Sequence, residues 1–151
     1  MNITKETTLA QLEGWFSEAE GKLISGGDFF TAKKDTTPAD LQKEQPTWNV
    51  QDMIYGLDRL AKIKENGNYV LPVYPDCADP SKSSVGLLKM PADEKKSDTA
   101  VILCAGGAYG AVCTMVESLP VAGMPAVYSA RRSAPVIMAS LNQKDSCWII
   151  R

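Results

Sequence analysis

Residues 99–117 read TAVILCAGGAYGAVCTMVE, and the fold turns on how they are read. The apolar run Ala100-Val101-Ile102-Leu103-Cys104-Ala105 is long enough for one strand and too short for a helix, and it breaks at Gly106-Gly107. An uninterrupted apolar run of that length predicts a strand buried on both faces. Beyond the glycines, Ala108, Tyr109 and Gly110 lead into the small-residue segment Ala111 to Val116, which is expected to open a helix. Strand, glycine turn and helix in that order aim backbone N–H groups at an anion.

Two phosphate loops can be compared with this turn. A Walker loop ends in Gly-Lys-Ser/Thr, which is missing here. The dinucleotide fingerprint needs glycine where Ala105 stands, and a carboxylate about 20 residues beyond the loop to hold the ribose. No Asp or Glu lies between Glu117 and Asp145, so nucleotide binding is disfavoured. Two adjacent glycines also make a tight turn with no chemistry attached, and the glycines alone do not decide between that and an anion site.

A third loop fits better. In α/β-hydrolases the turn after the third strand carries a glycine-rich oxyanion motif, whose N–H groups stabilise the charge that develops on an ester carbonyl. Ala105-Gly106-Gly107-Ala108 resembles that His-Gly-Gly-Gly pattern, with Ala in place of His and of the last Gly. AGGAYGAVCTMVESLPVA, with EQPTWN and DMIYGLDRL upstream, resembles a group of bacterial α/β-hydrolase-fold, esterase-like proteins. The likeness spans roughly Thr37 to Ala122 and is most specific over Gly106 to Ala122. It implies an α/β fold, a partial hydrolase-like three-layer sandwich behind a helical N-terminal segment (1–67 helical, 68–151 the partial core). It also implies Gly106, Gly107 and Ala108 as oxyanion-hole residues, Tyr109 and Gly110 at the pocket mouth, a small-molecule ester substrate and no cofactor.

Composition limits the chemistry. The 151 residues carry 16 Lys and Arg against 18 Asp and Glu, for a net charge of −2. The basic pairs Lys33-Lys34, Lys95-Lys96 and Arg131-Arg132 are scattered, so neither nucleic acid nor a polyanion is an expected partner. The start, MNITKETTLAQLE, lacks the basic and apolar blocks of a signal peptide, and no apolar run approaches the ~18 residues of a membrane span. A cytoplasmic location is the resulting expectation. Cys77, Cys104, Cys113 and Cys147 show no C-x-x-C spacing, which favours reduced, partly buried thiols over a disulfide frame or a metal site. The chain has no histidine, so it supplies no Ser-His-Asp or Cys-His pair and no histidine-bearing zinc site. It has no G-x-S-x-G either.

Taken in order, Leu9, Leu12, Trp15, Phe16, Ala19 and Leu23 recur at helical spacing, and they predict one helix from about Thr8 to Ile24. Thr8 with Gln11 forms a capping box, and Gly26-Gly27 ends the helix. Thr37-Pro38-Ala39-Asp40 opens a short helix toward Lys43. Asn49 caps a third, apolar along Val50, Met53, Ile54, Leu57, Leu60 and Ala61, which closes at Asn66-Gly67. Tyr69 to Tyr74 reads as an edge strand because of Pro72, and Val85 to Met90 as the next strand, with Gly86 a candidate bulge.

After Ala122 the resemblance weakens. Gly123-Met124-Pro125-Ala126 follows where about two further turns of helix are expected, as if part of the helix were deleted or the frame had changed. A chain with this oxyanion loop but no nucleophile elbow or histidine is expected to be an inactive, truncated form. Its uncovered sheet edge makes it prone to self-association as a homo-oligomer. The alternative is a non-catalytic α/β binding or assembly module.

Overall fold

The computed structural model describes residues 2–24, 26–27, 34–67, 69–76, 78–79, 85–91, 101–106, 111–123 and 136–140. Helix α1, Leu9–Trp15, starts at Thr8, whose side chain accepts from the Gln11 N–H while Gln11 returns the bond to the Thr8 N–H. The single helix expected over Thr8 to Ile24 is instead two, because Ser17 and Glu20 form a second capping box that starts α2, Glu18–Ile24. An apolar stripe can run through such a break without losing its spacing, which is why periodicity alone missed it.

Helix α3, Pro38–Glu44, carries the expected cap: the Thr37 hydroxyl accepts from the Asp40 N–H at 3.2 Å, and the Asp40 carboxylate accepts from the Thr37 N–H at 3.2 Å. Asn49 caps α4, Val50–Glu65, accepting from the N–H groups of Gln51 and Asp52. The Val50 N–H, an orphan at the start of the helix, donates to Gln42 Oε1 of α3 at 2.8 Å and ties the two helices together. The α4 helix ends as expected, at Asn66 and at Gly67 with φ +98°.

The strands follow. A two-residue strand β1, Gly26–Gly27, pairs antiparallel with a later one, β5, Ala111–Val112, so these glycines do more than end a helix. Strands β2, Val70–Pro72, β3, Gly86–Met90, β4, Val101–Cys104, and β6, Val136–Ser140, form a mixed sheet in the order β2-β3-β6-β4. Strand β2 lies at one edge, as its proline requires. The register Pro72↔Gly86 to Val70↔Leu88 runs without a bulge. Gly86 is needed instead for closeness, because a Cβ there would meet Leu23 Cδ1 at 3.0 Å.

Strand β4 departs furthest from expectation. It lies at the other edge of the sheet, paired among the described residues only to the parallel β6. Val101 and Leu103 face the core, while Ile102 is 59 % exposed and Cys104 is exposed, so neither burial on both faces nor a buried Cys104 thiol holds. The parallel pair is joined through a crossover that holds β5, a π-helical turn at Thr114–Ser118 and helix α5, Leu119–Gly123. The helix expected from Ala111 therefore begins only after a short strand. Pro120 has no N–H to give to the Val116 carbonyl and its ring crowds that carbonyl, which accounts for the widened turn just before it.

One core serves both the helices and the sheet. Met53, Leu57 and Leu60 of α4, Leu88 and Met90 of β3, and Leu119 of α5 are fully buried in it. Each such side chain contributes about 1.5–3 kcal/mol through burial. Helices α4 and α5 touch so closely that a Cβ on Gly56 would sit 2.7 Å from Leu119 Cβ and 2.9 Å from the Leu119 carbonyl oxygen. The core covers the Gly86-Leu88-Met90 face of β3 and the Val101-Leu103 face of β4. A layer on the opposite face, expected of a three-layer sandwich, lies outside the described residues.

Candidate functional site: a backbone donor held by a carboxylate

The carboxyl end of β4 runs through Ala105 into Gly106, beside the parallel strand β6. In open sheets with parallel strands, ligands bind outside the carboxyl ends, where the connections diverge. Gly106 stands at the carboxyl end of this edge strand and is exposed. Gly107, Ala108, Tyr109 and Gly110 lie outside the described residues, so of the expected site only its first donor is in view.

That donor is engaged. The Gly106 N–H donates to Glu117 Oε2 at 2.5 Å, across eleven positions of sequence. The chain reaches back because the Cys113 N–H donates to the Gly106 carbonyl at 3.4 Å and the π-helical turn then carries Glu117 toward the glycine. A Cβ on Gly106 would stand 3.0 Å from Glu117 Oε2, so glycine here makes room for a carboxylate. The only described glycine with positive φ is Gly67, so Gly106 is not required by a left-handed turn.

The groups around this contact are buried. Cys113 is buried, and burial together with the negative Glu117 pushes its thiol pKa up. A thiol held protonated is a poor nucleophile. Thr114, the first residue of the π-helical turn, is completely buried and its hydroxyl has no hydrogen-bond partner in the structure. Ser118 closes the turn and is also buried. A cavity lined by Leu9, Leu12, Glu13, Phe16, Ile24 and Met115 measures about 30 Å³, far below a substrate pocket.

Sequence reasoning singled out Gly106 and missed Glu117. Helical spacing gives no warning of a contact between residues eleven apart on either side of a strand pair and a widened turn. Among the described residues no three His, Cys, Asp or Glu side chains converge as metal ligands, and no helix is long and apolar enough to cross a membrane. No family model matches the chain, and neither a curated protein nor a solved structure does.

Proposed function

We propose that the chain is part of an α/β-hydrolase-fold carboxylic-ester hydrolase of esterase or lipase type, with the turn at Gly106 as its oxyanion-binding element and a small-molecule ester as its class of substrate. The observation that carries this reading is the bond from the Gly106 N–H to a carboxylate oxygen, at the carboxyl end of the parallel pair. A backbone donor that holds a carboxylate oxygen has the polarity needed for an ester oxygen that becomes negative. In this reading Glu117 holds the donor until a substrate displaces it. Gly107 and Ala108 supply the remaining donors, and Tyr109 and Gly110 the pocket mouth.

These 151 residues contain neither histidine nor G-x-S-x-G, so the nucleophile and its base do not come from them. Oxyanion donors and substrate binding alone retain ~10³–10⁴-fold over water in a complete enzyme stripped of its triad, and that depends on a formed pocket. This chain by itself is therefore expected to leave p-nitrophenyl butyrate at the buffer rate. Translation of the gene past codon 151 in all three frames tests the assignment. A G-x-S-x-G followed by a histidine supports it, and neither motif in any frame would overturn it.

The second reading, a non-catalytic assembly module, draws on the face of the sheet away from the core. Leu71 and Ile102 are exposed there, on the same side as Leu87 by register. That reading requires a discrete oligomer in gel filtration that Ile102→Lys dissolves to monomer.

A further inference from the structure

Helix α4 meets the chain again at a point where no room is left. Gly56 is buried, and a Cβ built on it would stand 2.7 Å from Leu119 Cβ, 2.9 Å from the Leu119 carbonyl oxygen and 3.0 Å from its carbonyl carbon. Glycine is what lets α4 touch the backbone at the start of α5. Leu119 is also where the π-helical turn closes, because its N–H donates to the Thr114 carbonyl. Glu117 lies inside that closed turn, and its carboxylate reaches the Gly106 N–H.

The turn has little else to hold its shape. Among the described residues no side chain caps it, the Thr114 hydroxyl has no hydrogen-bond partner, and Pro120 has no N–H with which to add the next bond. Thr114, Met115, Val116, Ser118 and Leu119 are all buried, so a displacement of Leu119 is passed along the turn rather than released into solvent. Non-bonded carbon atoms rest about 3.5–4.0 Å apart, so a Cβ at position 56 drives Leu119 away from α4 by about 0.8 Å. A move of that size at Glu117 takes its 2.5 Å bond to the edge of the usual hydrogen-bond range of about 2.7–3.2 Å or past it.

We propose that Gly56 is a positioning residue for the Gly106–Glu117 bond: by letting α4 hold the Leu119 backbone, it sets the π-helical turn where Glu117 occupies the Gly106 donor. Helices α4 and α5 and the turn then move as one unit, and separating α4 from α5 frees the donor. The contact is thereby an internal block on the Gly106 N–H whose strength is set in the helical layer. This coupling concerns the bond itself and holds whatever anion the donor takes.

The test follows the Gly106 amide of the whole ¹⁵N-labelled chain by NMR in Gly56→Ala. Two references go with it: Glu117→Gln, which weakens the bond directly, and Leu57→Ala, which opens a cavity at the next position of α4 without pushing on Leu119. The expected result is a Gly106 proton that moves upfield in Gly56→Ala by at least half the change that Glu117→Gln produces, and that stays in place in Leu57→Ala at an equal or greater loss of stability. Coupling between two sites is reciprocal, so Glu117→Gln should in turn shift the Gly56 amide while leaving the Leu41 amide of α3 unmoved. A Gly106 proton unmoved in Gly56→Ala, or moved as far by Leu57→Ala, would overturn the proposal. So would a Gly56 amide that ignores Glu117→Gln, and that arm decides if Gly56→Ala does not fold. No arm uses an ester or an added anion, so the outcome is separate from the choice of substrate.

Discussion

The helical segment from Thr8 to Gly67 and the end of β4 differ in how far their capping partners lie along the chain. Across the helices, each cap residue is answered locally, Thr8 by Gln11, Ser17 by Glu20, Thr37 by Asp40, and Asn49 by the N–H groups just after it, while a few first-turn N–H groups reach further, Leu9 to Thr36 and Val50 to Gln42. At the end of β4 a backbone donor is satisfied from eleven residues away, a buried threonine hydroxyl is left unpaired, and a helix opens through a widened turn. The caps of the first region follow rules that act within one turn. The second depends on which strands meet, and such departures from local consistency are where functional sites tend to lie.

The contrast is broken or sharpened first by the core. Leu57→Ala, in a fully buried side chain of α4, should cost about 2–5 kcal/mol in urea unfolding, while Ile102→Ala on the exposed face of β4 should stay within about 0.5 kcal/mol. Equal costs at the two positions would mean that β4 is covered in solution.

Glycines give a finer comparison. Gly56→Ala pushes a Cβ against the Leu119 backbone and should destabilise by about 1–3 kcal/mol. Gly14→Ala, in α1, has nothing within 4 Å of its new Cβ and should stabilise by about 0.5–1 kcal/mol through the backbone. Chemical denaturation of the two variants reads both signs.

A smaller loss than in the core concerns the α3 cap. Removing its hydroxyl in Thr37→Ala should cost about 1 kcal/mol. The Lys43 ammonium, with the Thr37 hydroxyl and N–H, pulls the Asp40 pKa down from 3.8 to about 2. A depressed carboxyl stabilises the fold above its unfolded value and loses that contribution as pH falls, so the cap should loosen between about pH 4 and about pH 2. The Thr37 amide followed by NMR against pH should move in that window, and a transition centred near pH 4 would show that the Lys43 and Thr37 bonds do not persist in solution.

How much of this was legible follows the same division. The caps at Thr8, Thr37 and Asn49, the length of α4, its end at Gly67, the edge position of Pro72 and the strand from Gly86 to Met90 all stand in the sequence as residue types at fixed offsets. The break at Ser17 was hidden because the apolar stripe continues through it. Strand β4 misled for a different reason: an apolar run reports that a strand is apolar, but not whether a neighbour covers it, and Ile102 is exposed on an edge. Gly106 stood out in the sequence as the end of an apolar run, but its partner Glu117 did not, because that contact exists only once β4, β5 and the π-helical turn are in place.

In the proposed function the Gly106 N–H is an oxyanion donor that Glu117 occupies at rest. This is tested most directly by following the Gly106 amide in ¹H–¹⁵N NMR, in the wild-type chain and in Glu117→Gln, while butylphosphonate is added. The account predicts a downfield amide in the wild type that barely responds to the anion, and in the variant an upfield-shifted amide that moves and saturates as butylphosphonate binds. A Gly106 amide with the same shift in both chains, or one that ignores the phosphonate once Glu117 is neutralised, would contradict it.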